Sequence, residues 1–108
     1  MKTRSPNPTS ETYPTHPVAE LQQVLAALAD PVRLEMVRRL AGQGDGPVAC
    51  ARLYDGVSKS TASHHFKILR EAGLTERSLQ GGQSCQRLRT AEVEARYPGV
   101  LPAILAAH

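Results

Sequence analysis

Tryptophan is missing from this 108-residue chain, and aromatic residues together make up only 4% of it. The core must therefore be built mainly from Leu, Val and Ala, a composition that suits packed helices. No apolar run approaches the ~20 residues of a membrane-spanning helix, and the first residues lack the apolar centre of a secretory signal. The length predicts one domain, and we expect it in the cytoplasm with no membrane partner.

Cysteine is also scarce, because Cys50 and Cys85 are the only two in the sequence. Neither has Cys or His neighbours at the spacing of a zinc site. Gly-rich phosphate loops, nucleophile motifs and carboxylate pairs with a partner His are missing as well. We therefore expect no metal, no cofactor and no enzymatic activity.

Proline and small polar residues dominate the first 17 positions. Such a composition cannot bury enough apolar surface to offset the entropy lost on ordering, so residues 1–17 are predicted to be a flexible tail. Residues 18–108 form the predicted domain. Apolar periodicity and the positions of Gly and Pro predict the order helix, helix, short helix, helix, β-hairpin, helix. The predicted boundaries are a first helix from near Pro17, a second from Asp30 to Gly42, a short third over residues 48–54 and a final helical segment capped by Thr90.

A Gly81-Gly82 pair separates two strand-like runs and is typical of a tight hairpin turn. With a two-residue turn, Leu79 would face Ser84 across the strands. Glu76 would face Arg87 and form an opposite-charge pair.

The stretch SKSTASHHFKILREAGL, residues 58–74, is predicted to be one helix that Ser58 caps and Gly73 ends. At about 100° per residue, Ala62, Phe66 and Leu69 share the buried face. The opposite face consists of Ser60, Ser63, His64, Lys67 and Glu71. Residues 58–89 carry six basic groups and two acidic ones, a net +4 within a chain total of +3. This concentration of positive charge favours a polyanionic partner.

Hydroxyl and imidazole groups can hydrogen-bond base edges without filling the groove, and lysine attracts phosphate. The short helix and turn before this helix and the basic hairpin after it complete a pattern typical of DNA-binding proteins. Arg77, Arg87 and Arg89 would make that hairpin a basic wing. We therefore predict a mainly α fold with a small β-hairpin, a winged helix-turn-helix that binds double-stranded DNA.

The stretches LADPVRLEMVRRLA and SKSTASHHFKILREAGL, followed by a glycine-turn hairpin, resemble the ArsR/SmtB family of bacterial winged-helix repressors over roughly residues 18–90. The resemblance implies a homodimer whose interface comes from the first and last helices. It also implies a partly palindromic operator and an effector that changes DNA affinity. The family's base-reading segment corresponds to Lys59, Ser60, Thr61, Ser63, His64 and His65.

Within that segment the predicted roles differ. Ser60, Ser63 and His64 are placed at base edges, with Lys59 and Lys67 near phosphates. His65 falls toward the buried face and is predicted to pack. The CxC pattern and the His/Asp set of the family's metal sensors do not occur in this sequence.

The apolar stripes of VAELQQVLAALA and LPAILAA independently favour a dimer. They lie at the two ends of a chain too small to enclose both, and two-fold pairing is the commonest way to cover such surfaces. Two reading helices would then enter successive major grooves, ~34 Å apart.

Two other functions remain open at this point. Cys50 and Cys85 could form a redox-responsive disulfide, although simple packing of Cys50 and an incidental Cys85 are favoured. A winged-helix module could instead bind an acidic protein. The polar helix face lacks the Tyr, Trp or Leu anchors usual in protein-binding surfaces, which favours DNA.

Overall fold

The computed structural model describes residues 10–107. In chain order its elements are β1 (Ser10–Thr12), α1 (Leu21–Ala29), α2 (Pro31–Gly42), β2 (Val48–Ala49), a 3-10 helix (Cys50–Arg52), α3 (Lys59–Glu71), β3 (Thr75–Gln80), β4 (Gln83–Leu88), α4 (Thr90–Arg96) and α5 (Val100–Ala106). The predicted class, mainly α with a β-hairpin after the reading helix, is confirmed. Within residues 10–107, none of the helices combines the length and apolar character needed to cross a bilayer.

Two helices begin at the predicted caps. The Asp30 carboxylate accepts hydrogen bonds from the backbone N–H groups of Val32, at 2.8 Å, and Arg33, at 3.1 Å. The Ser58 hydroxyl accepts one from the Thr61 N–H at 3.1 Å. Each cap satisfies N–H groups that the first turn of a helix leaves without partners, and so fixes where α2 and α3 start.

Glycine is required at position 73, as predicted, for two separate reasons. Gly73 has φ +80°, a left-handed conformation that a side chain disfavours. A Cβ at this position would also collide with the carbonyl oxygen of Pro17 and the Cα of Val18. The segment before α1 therefore packs directly on the end of α3, where the Ala19 N–H donates to the Ala72 carbonyl at 3.0 Å.

The sheet is antiparallel with strand order β1-β3-β4-β2. Leu79 pairs with Ser84 and Glu76 with Arg87, so the predicted hairpin register is confirmed. It follows that the two-residue Gly81-Gly82 turn sets which side chains of the hairpin share a face.

The predicted flexible tail is wrong for its later part. Residues 10–12 form β1 and pair with residues 78–80 of β3, and the carbonyl of His16 accepts a hydrogen bond from Arg89. An edge strand of the hairpin supplies backbone partners that composition does not reveal. Residues 1–9 of the predicted tail lie outside the described part of the chain.

Three further boundaries differ from the prediction. The α1 helix begins at Leu21 rather than near Pro17, because residues 17–19 pack against the end of α3. The predicted helix over residues 48–54 is instead β2, which pairs with β4, followed by a single 3-10 turn. Thr90 is the first residue of α4 and makes no capping hydrogen bond.

The core joins the helices to one face of the hairpin. Its fully buried large side chains include Met36, Leu40, Leu53, Leu69 and Leu101. Ala62 and Phe66 are buried with Leu69, so the predicted inner face of α3 is confirmed. Burial of this face holds α3 with its opposite face toward solvent.

Candidate nucleic-acid interface

The outer face of α3 is the largest group of predicted site residues that the structure brings together. Lys59, Ser60, Thr61, Ser63, His64 and Lys67 are all exposed. They lie on one helix whose other side is anchored in the core, so their relative positions are fixed by the helix. We define these six residues as the reading face.

Most polar groups of the reading face are uncommitted. Ser60 and Thr61 contact the capping hydroxyl of Ser58, at 3.3 and 2.9 Å, within the first turn. Within the described residues, Lys59 and Lys67 form no ion pair. The two ammonium groups and the hydroxyl of Ser63 are therefore available to a ligand.

His65 is half-buried and lies toward α2. Its Nδ1 is 3.1 Å from the Arg33 guanidinium, which also donates to the Ala27 carbonyl at 2.7 Å. Because a guanidinium cannot accept a hydrogen bond, Nδ1 of His65 accepts and the ring proton lies on Nε2. This contact supports the predicted packing role and leaves His64 as the outward-facing imidazole.

Arg77 is the wing arginine that faces α3. Its Nε donates to the Ser84 hydroxyl at 3.2 Å, and its guanidinium lies 4.4 Å from the centroid of the Tyr13 ring. These contacts hold the positive charge beside the reading face without neutralising it.

Arg87 is compensated by two carboxylates. Its guanidinium donates to Glu76 at 3.0 Å and to Glu92 at 3.1 Å, and the side chain is only partly exposed. The cross-strand pair with Glu76 was predicted, but the second carboxylate comes from α4 and cannot be seen in the hairpin sequence. Arg87 therefore adds little positive potential to the surface of the wing.

Arg89 does not belong to the wing surface, which corrects the sequence-based prediction. Its side chain is buried, and its guanidinium donates to the carbonyls of His16, at 2.5 Å, and Gly73, at 3.0 Å. A third partner is Glu92, whose Oε2 lies 3.7 Å from Nε of Arg89. The residue ties the segment before α1 to the end of α3, a role fixed by tertiary contacts that the sequence pattern does not indicate.

The side chains of the two cysteines lie on opposite sides of β4. Cys85 follows Ser84 in β4, and neighbouring residues of a strand point to opposite sides. The Cys50 thiol contacts the Ser84 hydroxyl at 3.4 Å, whereas the Cys85 thiol contacts the Gln83 carbonyl at 3.5 Å. Although β2 brings Ala49 opposite Cys85, the side-chain directions oppose a disulfide.

Sequence reasoning missed Arg70. It lies three residues after Lys67 on α3, half-buried, and lines a cavity between that helix and the hairpin. The spacing of three residues from Lys67 was the available signal, since it places both on one side of a helix. Within residues 10–107, no three side chains of His, Cys, Asp or Glu come together as metal ligands would.

Comparison with known proteins gives three findings. A family model described as a helix-turn-helix domain matches residues 28–78. The uncharacterized HTH-type transcriptional regulator YceK of Bacillus subtilis (strain 168) is 36% identical over 81 residues, which span 73% of this chain and 80% of that protein. The crystal structure of the transcriptional repressor BigR from Xylella fastidiosa matches with a TM-score of 0.59 and 29% identity, over 82% of this chain and 88% of that one.

Proposed function

Since this chain belongs to the ArsR/SmtB family of winged helix-turn-helix transcriptional regulators, we propose that it is a homodimeric repressor released from DNA by an effector. Its target is a partly palindromic operator in double-stranded DNA, which it meets in the cytoplasm. The observation that carries this proposal is the reading face of α3, which is exposed and largely uncommitted.

The proposal divides the reading face into two kinds of contact. Ser60, Ser63 and His64 hydrogen-bond base edges in the major groove, because short hydroxyls and an imidazole can donate or accept there. Lys59 and Lys67 lie on the same helix and attract phosphates, which sets affinity without reading sequence.

The wing contributes less charge to this proposal than its sequence indicates. Arg77 lines a cavity together with residues of α3, so it is the wing arginine placed to meet the phosphate backbone. Arg87 and Arg89 are left out, since carboxylates and buried carbonyls already hold them. DNA recognition therefore depends mainly on α3.

Exposed apolar side chains support the dimer. On α1, Leu21 is 38% and Leu25 43% exposed, and on α5, Ile104 and Leu105 are half-buried. Large apolar groups left at the surface of so small a protein favour a second copy as their cover. A two-fold dimer would present two reading faces, which matches the partly palindromic operator of this proposal. The repressor role rests on the likeness to BigR.

Selection of bound fragments from a random DNA pool, followed by titrations of the selected site, tests the reading face. Ser63→Ala and His64→Ala should each relax base preference by ~1–3 kcal/mol per lost contact. Lys67→Ala should weaken all sequences alike. Thr90→Ala, which removes an exposed hydroxyl outside α3, is the matched control and should change neither property. Unchanged preference in both Ser63→Ala and His64→Ala would contradict the proposal.

Sedimentation of the wild type and of Leu25→Glu tests the dimer. The charge should turn the dimer into a monomer and weaken operator binding, because one reading helix covers half of the site. Asp45→Asn, a change in the exposed loop before β2, should alter neither result. A wild-type monomer that binds the operator tightly would overturn the dimer.

Neither of the other functions considered from the sequence gains support. The exposed face of α3 carries no aromatic or large aliphatic side chain, so an acidic protein partner would lack anchors. The opposed directions of Cys50 and Cys85 disfavour a switch based on their disulfide.

A further inference from the structure

A cavity of about 450 Å³ lies between α3, the 3-10 helix and the β3-β4 hairpin. This volume falls within the ~300–1,000 Å³ typical of sites for small molecules. Side chains of all three elements line it, so its shape depends on how the hairpin packs against α3.

The walls of the cavity carry charge of one sign. Lys59, Lys67, Arg70 and Arg77 line it, and no carboxylate is among its lining residues within the described part of the chain. Four cations around one small volume create a positive potential that favours an anionic occupant.

Arg70 lies within this cationic cluster in a partly desolvated position. Burial, together with the like charge of Arg77, lowers the pKa of Arg70. Both effects disfavour the charged guanidinium of Arg70. An anion between Arg70 and Arg77 would stabilise it by supplying the opposite charge.

Gln86 provides a second, independent sign of a missing partner. It is 1% exposed and lines the cavity, and its Oε1 has no hydrogen-bond partner within the described residues. Buried polar atoms in folded proteins nearly always have a partner. The amide can also turn over and present its NH₂ group at the same position, so it can serve either a donor or an acceptor on a ligand.

The remaining wall is apolar. Tyr54 and Phe66 meet edge to face with ring centroids 6.1 Å apart, and Ala62 lies beside them. An occupant that fits both parts of the cavity combines one anionic group with an apolar or aromatic body.

We propose that this cavity binds a small organic anion, with its carboxylate or phosphate between Arg70 and Arg77 and its body against Tyr54 and Phe66. A phosphate of the DNA backbone is a poorer occupant. Ala62, Phe66 and Gln86 are buried, so a rigid duplex would contact the rim of the cavity and leave its interior unfilled.

Occupancy of the cavity is coupled to DNA binding, and this part of the proposal rests on the proposed function. Lys59, Ser63 and Lys67 belong both to the cavity wall and to the reading face. A bound anion neutralises positive charge beside them, and it therefore lowers affinity for DNA phosphates.

Titration of phenyl phosphate into the protein without DNA, followed by amide chemical shifts, tests the site. Saturable shifts should appear at residues 50–54, 62–70 and 83–86. Benzyl alcohol, an uncharged probe of similar shape, should produce none at the same concentration. Shifts confined to α1 and α5, or equal binding of the uncharged probe, would overturn the proposal.

Matched variants identify the residue responsible. Arg70→Gln should weaken phenyl phosphate binding at least about tenfold, as expected for the loss of one charge-assisted contact. Arg52→Gln removes an exposed arginine that does not line this cavity and should bind like the wild type. Arg70→Lys keeps the charge and should recover part of the affinity. Amide dispersion establishes that each variant is folded, and unchanged affinity in folded Arg70→Gln would overturn the site.

A DNA titration with and without saturating phenyl phosphate tests the coupling. The anion should weaken operator binding by the wild type and have less effect on Arg70→Gln. Unchanged operator affinity in the wild type would overturn the regulatory role. A complete lack of DNA binding would contradict the proposed function, while the titration without DNA would still decide whether the cavity binds the anion.

Discussion

The lysines of the reading helix α3 and the arginines at the end of the β3-β4 hairpin, Arg87 and Arg89, are used in opposite ways. The lysines of α3, Lys59 and Lys67, are exposed and form no ion pair within the described residues. In β4 and just after it, Arg87 and Arg89 are held by carboxylates and by buried carbonyls. Residues with the same formal charge therefore contribute differently to the surface potential. A count of basic residues overstates the positive potential of the wing.

The chemistry of the two side chains explains the contrast. The lysine ammonium is compact and strongly hydrated, so it remains in water and attracts phosphate from there. The guanidinium presents donors in a planar fork and can satisfy several acceptors at once. The hairpin accordingly uses Arg87 and Arg89 to join elements that are distant in the sequence.

The largest expected difference between the two regions concerns stability. Arg89→Met should lower the free energy of unfolding by ~2–4 kcal/mol, because it leaves two carbonyls without their charged donor. Lys67→Met, the matched change on α3, should stay within ~0.5 kcal/mol of the wild type. Urea unfolding monitored by circular dichroism measures both. Equal losses of unfolding free energy in the two variants would show that the two regions do not differ as described.

The next difference concerns salt. Lys67→Ala should reduce the slope of log affinity for DNA against log salt concentration by about 1, since one phosphate contact is lost. Arg87→Ala should leave this slope unchanged, because its charge is already compensated. Mobility shifts at several salt concentrations provide the slopes. A reduced slope in Arg87→Ala would show that Arg87 contacts DNA phosphates.

A smaller effect is expected on the stability of the fold at acidic pH. Burial raises the pKa of Glu92, but hydrogen bonds from its own backbone N–H and from Arg87 lower it. The positive charges of Arg87 and Arg89 lower it further, so the pKa of Glu92 is below its ordinary value of 4.5. The carboxylate therefore stabilises the fold above about pH 4.5, and this contribution is lost as pH falls through the lowered pKa. Glu92→Gln should flatten the decline of stability below pH 4.5, measured by thermal unfolding across pH. Asp45→Asn, in an exposed loop, should preserve the wild-type decline.

The smallest effect distinguishes the surroundings of the two thiols, Cys50 in the 3-10 helix and Cys85 in β4. Burial raises the pKa of Cys85, whereas Cys50 is half-buried and lines the cationic cavity. Cys50 should therefore react first with the anionic reagent dithiobisnitrobenzoate, because thiolates are the reactive form. Cys50→Ser should remove the fast phase and Cys85→Ser the slow one. Faster reaction at Cys85 would contradict this description of the two thiols.

The sequence was most informative where neighbouring residues decide the structure. Asp30 and Ser58 cap helices because a side-chain oxygen reaches N–H groups two or three residues on. The Gly81-Gly82 turn predicted the hairpin register because its length fixes which residues are opposite each other. The exposed set on α3 followed from helical periodicity and the buried positions of Ala62 and Phe66.

Predictions failed where the partner lies far away in the chain. The strand β1 depends on the free edge of β3, and β2 depends on β4. Arg89 reaches a carbonyl 73 residues before it. Neither composition nor periodicity carries information about such contacts.

The sequence by itself determined the helix caps, the hairpin register and the polar face of α3, since interactions between residues a few positions apart set all three. Only the tertiary structure decided which cations stay available, that Cys50 and Cys85 face apart, and that Arg70, Arg77 and Gln86 surround one cavity. The physical reason is that charge compensation, burial and cavity shape arise from packing between elements.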